Sequence, residues 1–257
     1  MLTIITSLYK SEYHIAKFAK RLNRVTDFFD KKRFKYEVLI IANDPGEKEL
    51  NVLENLMAKN NSIKYFKVPR ESLYATWNRG IKLSRGNVIT FWNVDDLRFP
   101  RAMMEGYEKL TDGYDIVYSP FVVVQKHKYY KLLPLPEIAF KWPDDYNLEI
   151  NKDEMIWGPF FMFNKNIIDR VGLFDEGFKV VADYDWFIKA GLKGAKFFRT
   201  FLISGLYIKL MPTLSGGMGN NIIHTVENQV IFIRYGLEHK IKKLSPEEMK
   251  VFETYKV

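Results

Sequence analysis

Two acidic stretches, far apart in the chain, carry residue types that hold metal ions and move protons: Asn93-Val94-Asp95-Asp96 and Asp183-Tyr184-Asp185. The first follows an apolar run, residues 88–92, so its carboxylates stand at the mouth of a buried strand. A hard divalent cation takes oxygen ligands. When it bridges two phosphates it needs only one or two protein carboxylates, because the phosphates supply further donors. The same four residues also fit an ordinary turn, with Asp96 as its cap and Asp95 merely solvated.

The elements that must position these residues follow from periodicity. The first half alternates short β-branched runs with amphipathic stretches, the pattern of βαβ units feeding a mainly parallel sheet. Strands are predicted at residues 2–6, 37–42, 63–68 and 88–92, with helices over 11–29, 47–59 and 72–83 between them. Asn43-Asp44-Pro45-Gly46 ends the second strand, since that cluster cannot continue a ladder. Ligands of open parallel sheets bind beyond the carboxyl ends of the strands, so Asn43, Asp44, Asn93, Asp95 and Asp96 converge on one crevice.

The second half is less regular. Residues 116–125 and 158–164 read as strands, and 132–153 as an irregular stretch that is either a substrate-binding wall or a variable surface loop. Helices follow at 183–192 and 221–240, and a last one starts at Ser245, where a cap, Pro246 and Glu248 form a capping box. Trp142, Trp157, Phe160 and Phe161 could stack on a sugar ring, although core packing is the natural fate of the two phenylalanines. The glycine-rich residues 214–219 could bring backbone amides close to a phosphate, or simply connect two elements.

Composition narrows the partners. The 257 residues suit one α/β domain, and a formal charge of +8 favours phosphorylated or polyanionic ligands. The chain has no cysteine and its four histidines, His14, His127, His224 and His239, are scattered, so neither disulfides nor a Cys/His zinc site is expected. No apolar run approaches the roughly 20 residues of a membrane helix. Residue 1 runs straight into a strand without a leader, so a soluble or peripherally attached protein is expected.

Residues 72–81, Ser-Leu-Tyr-Ala-Thr-Trp-Asn-Arg-Gly-Ile, then Ser84-Arg85-Gly86-Asn87 and the strand into Asn93-Val94-Asp95-Asp96, resemble glycosyltransferase family 2. Further matches follow in family order: Thr6-Ser7-Leu8-Tyr9, the Asn43-Asp44 turn, Gly172-Leu173-Phe174-Asp175-Glu176 and Ala182-Asp183-Tyr184-Asp185-Trp186. The resemblance covers roughly residues 1–220. It implies a GT-A, Rossmann-like single domain with helices flanking the sheet: a nucleotide-binding half over 1–100, an acceptor half over 101–220, and a C-terminal helical extension over 221–257.

It also implies an inverting transfer from a UDP-, GDP- or dTDP-sugar to a hydroxyl of a glycan or lipid-linked acceptor, in surface polysaccharide synthesis, with Mn2+ or Mg2+. By matching position, Asp95 holds the metal, Asn93 contacts the ribose or a metal-bound water, and Thr6, Ser7, Tyr9, Asn43, Asp44 and Asn78 line the nucleotide pocket. Asp183 takes the place of the general base, with helix capping as its other reading. Trp142, Trp157 and Asp185 are acceptor-side candidates. Family members often carry arginine where Trp77 stands, so Arg79 or Arg70 is the candidate cation for the diphosphate.

The family's first metal-motif aspartate is Asn93 here, which weakens the donor set by one charge. A cytoplasmic enzyme is expected, touching the inner membrane face through Lys31-Lys32-Arg33 or residues 240–243. A nucleotidyltransferase would need a glycine-rich, lysine-bearing loop after the first strand, and residues 7–12 contain no glycine. A noncatalytic nucleic-acid or anionic-surface binder would gather its basic residues with aromatics on one face, whereas here they are spread, and no nucleic acid is expected.

Overall fold

Strands β1 (Leu2–Leu8) and β2 (Tyr36–Asn43) are runs of aliphatic and β-branched residues with almost no polar alternation. In the computed structural model, which describes residues 1–126, 137–210 and 218–255, they lie buried at the centre of a sheet covered on both faces. β3 (Ile63–Val68), with Lys64 and Lys67 exposed, is the edge beside β2, and β4 (Val88–Phe91) pairs with the other flank of β1. All four run parallel. Helices α1 (Ile15–Lys31), α2 (Glu47–Lys59) and α3 (Leu73–Leu83) connect them, so the turns that follow β1, β2 and β4 share one end of the sheet.

Helix α3 sits unusually close to β1. A Cβ at Gly80 would lie 2.5 Å from Ile5 Cγ2, so only glycine lets the helix reach that depth. The approach matters because α3 carries Tyr74, Thr76 and Asn78 to the sheet's carboxyl end.

Beyond β4 the elements shorten: β5 (Leu97–Arg98), α4 (Pro100–Thr111), β6 (Ile116–Tyr118), β7 (Phe121–Lys126), β8 (Glu137–Lys141), α5 (Leu148–Asp153), β9 (Met162–Asn164), α6 (Ile168–Val171), α7 (Ala182–Leu192), β10 (Phe197–Arg199), β11 (Gly205–Leu210), α8 (Met218–Arg234) and α9 (Pro246–Phe252). The main sheet has the order β10-β6-β9-β4-β1-β2-β3, with β9 antiparallel between β4 and β6. A second sheet has the order β5-β11-β7-β8.

Three expectations change. The strand anticipated over 116–125 is broken at Ser119-Pro120, where proline supplies no ladder N–H, and its two halves enter different sheets. The irregular stretch 132–153 contains β8 and α5, while residues 127–136 lie outside the described part. The helix anticipated over 221–240 stops at Arg234: Gly236 adopts φ +67° and the Leu237 N–H turns back to the Phe232 carbonyl at 2.7 Å.

One core cluster is dominated by aromatic side chains from α3, β4, β9 and α7, with Trp77 stacked on Phe91 at 4.0 Å. Val230 and Ile231 of α8 belong to this cluster, so the C-terminal helix is built into the same core as the acidic helix α7.

Candidate active site

The turns after β1 and β2 meet through one carboxylate. Glu49, buried in the first turn of α2, accepts the Ser11 N–H at 2.5 Å and the Gly46 N–H at 2.9 Å. Each turn holds a non-glycine residue in the left-handed region, Lys10 at φ +47° and Asp44 at φ +43°. Such conformations persist where surrounding bonds over-determine them, and they gather at functional sites. Arg70 lies over the Tyr9 ring at 5.0 Å. Asp44 is exposed, Ser7 is partly exposed, and the buried Thr6 hydroxyl meets no partner among the described residues.

The acidic turn after β4 is fixed from several sides. The Asp96 N–H donates to the Asn93 carbonyl at 3.1 Å, and one Arg21 nitrogen on α1 donates to the carbonyls of Asp95 and Asp96 at 2.7 and 2.9 Å. Asp96 is fully buried, accepts the Ile208 N–H of β11 at 3.0 Å, and so ties the two sheets together. Burial, then the Asp95 charge, pushes its carboxyl up to about 8. Its carboxyl group thus anchors the turn to β11 rather than capping it. Asp95 stays partly exposed. Burial raises its pKa as well, opposed by a backbone hydrogen bond and by the nearby Arg21 guanidinium.

Asp183 is the second residue of α7, and the N-cap residue is Val181, which makes no side-chain cap. The capping reading therefore falls. Asp183 Oδ1 accepts the Tyr184 N–H at 3.0 Å and faces the Tyr74 hydroxyl at 3.3 Å. Burial raises this carboxyl to about 6 against both hydrogen bonds, and the negative charge of Glu227 adds to the rise. An unperturbed aspartate lies near 4, so this is a stronger base that is still mostly ionised at neutral pH.

Helix α3 joins the two regions. Its Thr76 hydroxyl accepts from Asn43 Nδ2 at 3.0 Å, and two residues earlier Tyr74 faces Asp183. The remaining Asn43 oxygen accepts the Glu71 N–H at 3.1 Å, so this side chain shapes the turn and Asp44 is the one presented outward.

Several sequence candidates have other work. Asn78 is buried, donating to the Phe174 carbonyl and Glu176 at 2.8 Å each and accepting the Phe174 N–H at 3.0 Å. Both ends of its amide lock the 172–176 turn, so direct nucleotide contact gives way to positioning. Asp185 is fully buried and holds the C-terminal segment, with Arg234 at 2.7 Å, Lys189 at 2.6 Å and Tyr235 at 2.8 Å. It is not free to meet an acceptor. Trp157 is likewise removed, stacked on Phe187 at 3.6 Å inside the core, and Phe160 and Phe161 are buried.

Trp142 remains 59% exposed at the end of β8, where its neighbour is Arg199, 5.7 Å over the ring. Arg79 is engaged by Glu71 through a 2.7 Å ion pair, which leaves Arg70 as the exposed arginine beside Tyr9. Residues 214–217 of the glycine-rich stretch lie outside the described residues.

Residues 3–172 match the glycosyl transferase family 2 pattern. The chain belongs to glycosyl transferase family 2. No curated protein matches the chain in sequence. Among solved structures, residues 1–349 of Staphylococcus aureus TarS in complex with UDP-GlcNAc align with TM-score 0.64 and 15% identity, over 98% of this chain and 70% of that one. The mannosyltransferase PcManGT from Pyrobaculum calidifontis, in complex with GDP-Man and Mn2+, aligns with TM-score 0.64 and 12% identity, over 98% and 67%. At these identities the likeness concerns the fold, which is the GT-A type. Family membership sets glycosyl transfer above the nucleotidyltransferase and binding-module alternatives.

The donor set of this glycosyltransferase suits a cation shared with its substrate. Among the described residues no group of three or more His, Asp or Glu side chains could cage a metal. Asp95 offers one partly desolvated carboxylate. Asn93, two residues before it and partly exposed, makes a long 3.5 Å bond through its nitrogen to Asp96. A Mg2+ or Mn2+ ion held by one carboxylate, a diphosphate and waters fits such a set.

Sequence reasoning missed Arg21, Glu49, Tyr74 and Glu227. Arg21 carries no local signal, because its partners lie in a turn remote in sequence; Glu49 carries one as the third residue of α2 after Gly46, but its bond to Ser11 is long-range. Glu227 carries one too: it interrupts the apolar stripe of α8 between Ile223, Val230 and Ile231.

Proposed function

We propose that this family 2 enzyme transfers a sugar, with inversion, from a nucleoside-diphosphate donor to a hydroxyl of a glycan or lipid-linked acceptor. The supporting observation is the α3 bridge, which joins the turn after β2 to the partly exposed Asp183 carboxyl, raised to about 6. The acceptor O–H loses its proton to Asp183, and Oδ2 is the receiving oxygen because the hydrogen bonds from Tyr184 and Tyr74 fall on Oδ1. The acceptor oxygen bonds to the anomeric carbon as the carbon–oxygen bond to the diphosphate breaks, and the nucleoside diphosphate leaves with the bonding pair.

Tyr9 and Arg70 frame the nucleotide, with the ring stacking on the base and the guanidinium facing a phosphate. Asp44 and Ser7 offer polar edges to base and ribose. A divalent cation at Asp95 and the Asn93 oxygen, when bound, supplies positive charge to the departing diphosphate. Arg21 keeps that turn in place through its carbonyls.

The test is a panel of UDP-, GDP- and dTDP-sugars, with and without Mn2+, followed by NMR of the product. One donor should be consumed, its product should carry the opposite anomeric configuration, and Asp95→Ala should abolish the metal requirement together with most turnover. A product of retained configuration contradicts the proposal.

A further inference from the structure

Glu227 is a carboxylate on the apolar side of α8 and is fully buried. A charge in such a place is tolerated when its oxygens are hydrogen-bonded, and here they are. Oε1 accepts the Lys179 N–H and the Tyr255 hydroxyl at 2.6 Å each. Oε2 accepts the N–H groups of Val180 and Val181 at 2.8 and 3.1 Å. Three consecutive amides pointing at one anion form a nest, which sets the backbone of that segment.

The segment leads straight into Ala182-Asp183. Its Val180 carbonyl accepts the Tyr74 hydroxyl at 2.7 Å, and the same hydroxyl faces Asp183 Oδ1 at 3.3 Å. The peptide that holds Tyr74 is thus itself held by Glu227.

We propose that Glu227 is the positioning residue of the base: through the 179–181 nest and the Tyr74 hydroxyl it fixes where the Asp183 carboxyl points. This rests on the reading of Asp183 as the base. Among the described residues, the titratable and charged groups that act on Asp183 are Tyr74 from α3 and Glu227 from α8, with Tyr255 behind Glu227; Asp185 lies two residues on along the same helix. The Asp185 charge is taken up by Arg234 and Lys189.

The two links act on Asp183 with opposite sign, and this separates positioning from mere structural support. Glu227 raises its pKa and the Tyr74 hydrogen bond lowers it. In Glu227→Gln an NH2 faces backbone donors and the charge is gone. In Tyr74→Phe only a hydroxyl is lost.

Steady-state kinetics across pH on the full chain, with nucleoside diphosphate binding by calorimetry, carry the test. Glu227→Gln should lower kcat at least about tenfold, a general-base-sized loss, with donor KM and nucleotide Kd within about threefold, and its acid limb should move to lower pH. Tyr74→Phe should also lower kcat, with its acid limb moved to higher pH. A folded Glu227→Gln with wild-type kcat and acid limb overturns the proposal, as does a loss of kcat matched by equal loss of nucleotide binding. If Glu227→Gln does not fold, Tyr74→Phe decides alone: wild-type rate and acid limb in that variant overturn it. Asp183→Asn, run alongside, separates the two readings. Its full activity removes the base assignment itself, whereas an inactive Asp183→Asn beside a wild-type-like Glu227→Gln removes only the positioning role.

Discussion

A carboxylate in the first turn of a helix is normally favoured by the helix dipole, yet Asp183 is raised to about 6. Desolvation wins because the Tyr74 and Val180 side of the site covers much of a carboxyl that keeps only part of its exposure, and Glu227 adds a like charge. The raised value has a consequence for stability. Between about 4 and about 6 the folded chain holds a proton that the unfolded chain has released, so ionising Asp183 weakens the fold as pH rises through that window. Asp183→Asn should therefore melt higher than wild type at pH 8, with the difference vanishing below pH ~4 in calorimetric scans. Equal melting temperatures at pH 8 would show that the carboxyl is not strained by burial.

Elements position these residues through a few close approaches, and the tightest lies under α3. Alanine at Gly80 gains about 1 kcal/mol of helix propensity. It also forces a methyl against Ile5 Cγ2, a β-branched atom in a fully buried strand that cannot swing away. Overpacking of this kind costs about 1–3 kcal/mol. Gly80→Ala should lose stability in urea titration, and, because α3 carries Thr76 and Tyr74, should lose turnover beyond its loss of folded protein.

The same contrast of local and long-range causes explains how far the fold could be read. β1 to β4 and their helices announce themselves by apolar runs ended by local turn chemistry, such as Asn43-Asp44-Pro45-Gly46. β5, β6 and β9 are two or three residues long, and their pairing depends on partners far along the chain, Leu206 for Leu97 among them, which no local pattern encodes. In the site, the Asn93–Asp96 turn and Asp183 were legible from residue type and order. The commitments of Asn78 and Asp185 were not, because partners in the 172–176 turn and α8 decide them.

Over the whole molecule, one end of the main sheet collects the chemistry. The turns after β1, β2 and β4 open there, and Asp96 bonds to Ile208 so that the second sheet closes against the Asn93–Asp96 turn. Lys31-Lys32-Arg33 end α1 and lead into the start of β2, at the opposite end. Surface attachment through that cluster would point the site away from a membrane. Residues 240–243 lie on the Asp183 side: Lys240 and His239 bond Asp153, and α5 meets Tyr184 through the Lys152 carbonyl. Among the described residues no helix is long and apolar enough to cross a membrane.

The central claim is that binding and proton transfer are separate tasks on either side of α3. Single-turnover transfer by Asp183→Asn, with Mn2+-dependent nucleoside diphosphate binding measured on the same sample, tests it most directly. Transfer should fall by about 10²–10⁴-fold while the Kd stays within about threefold of wild type. Transfer at the wild-type rate, or loss of nucleotide binding in step with activity, would contradict it.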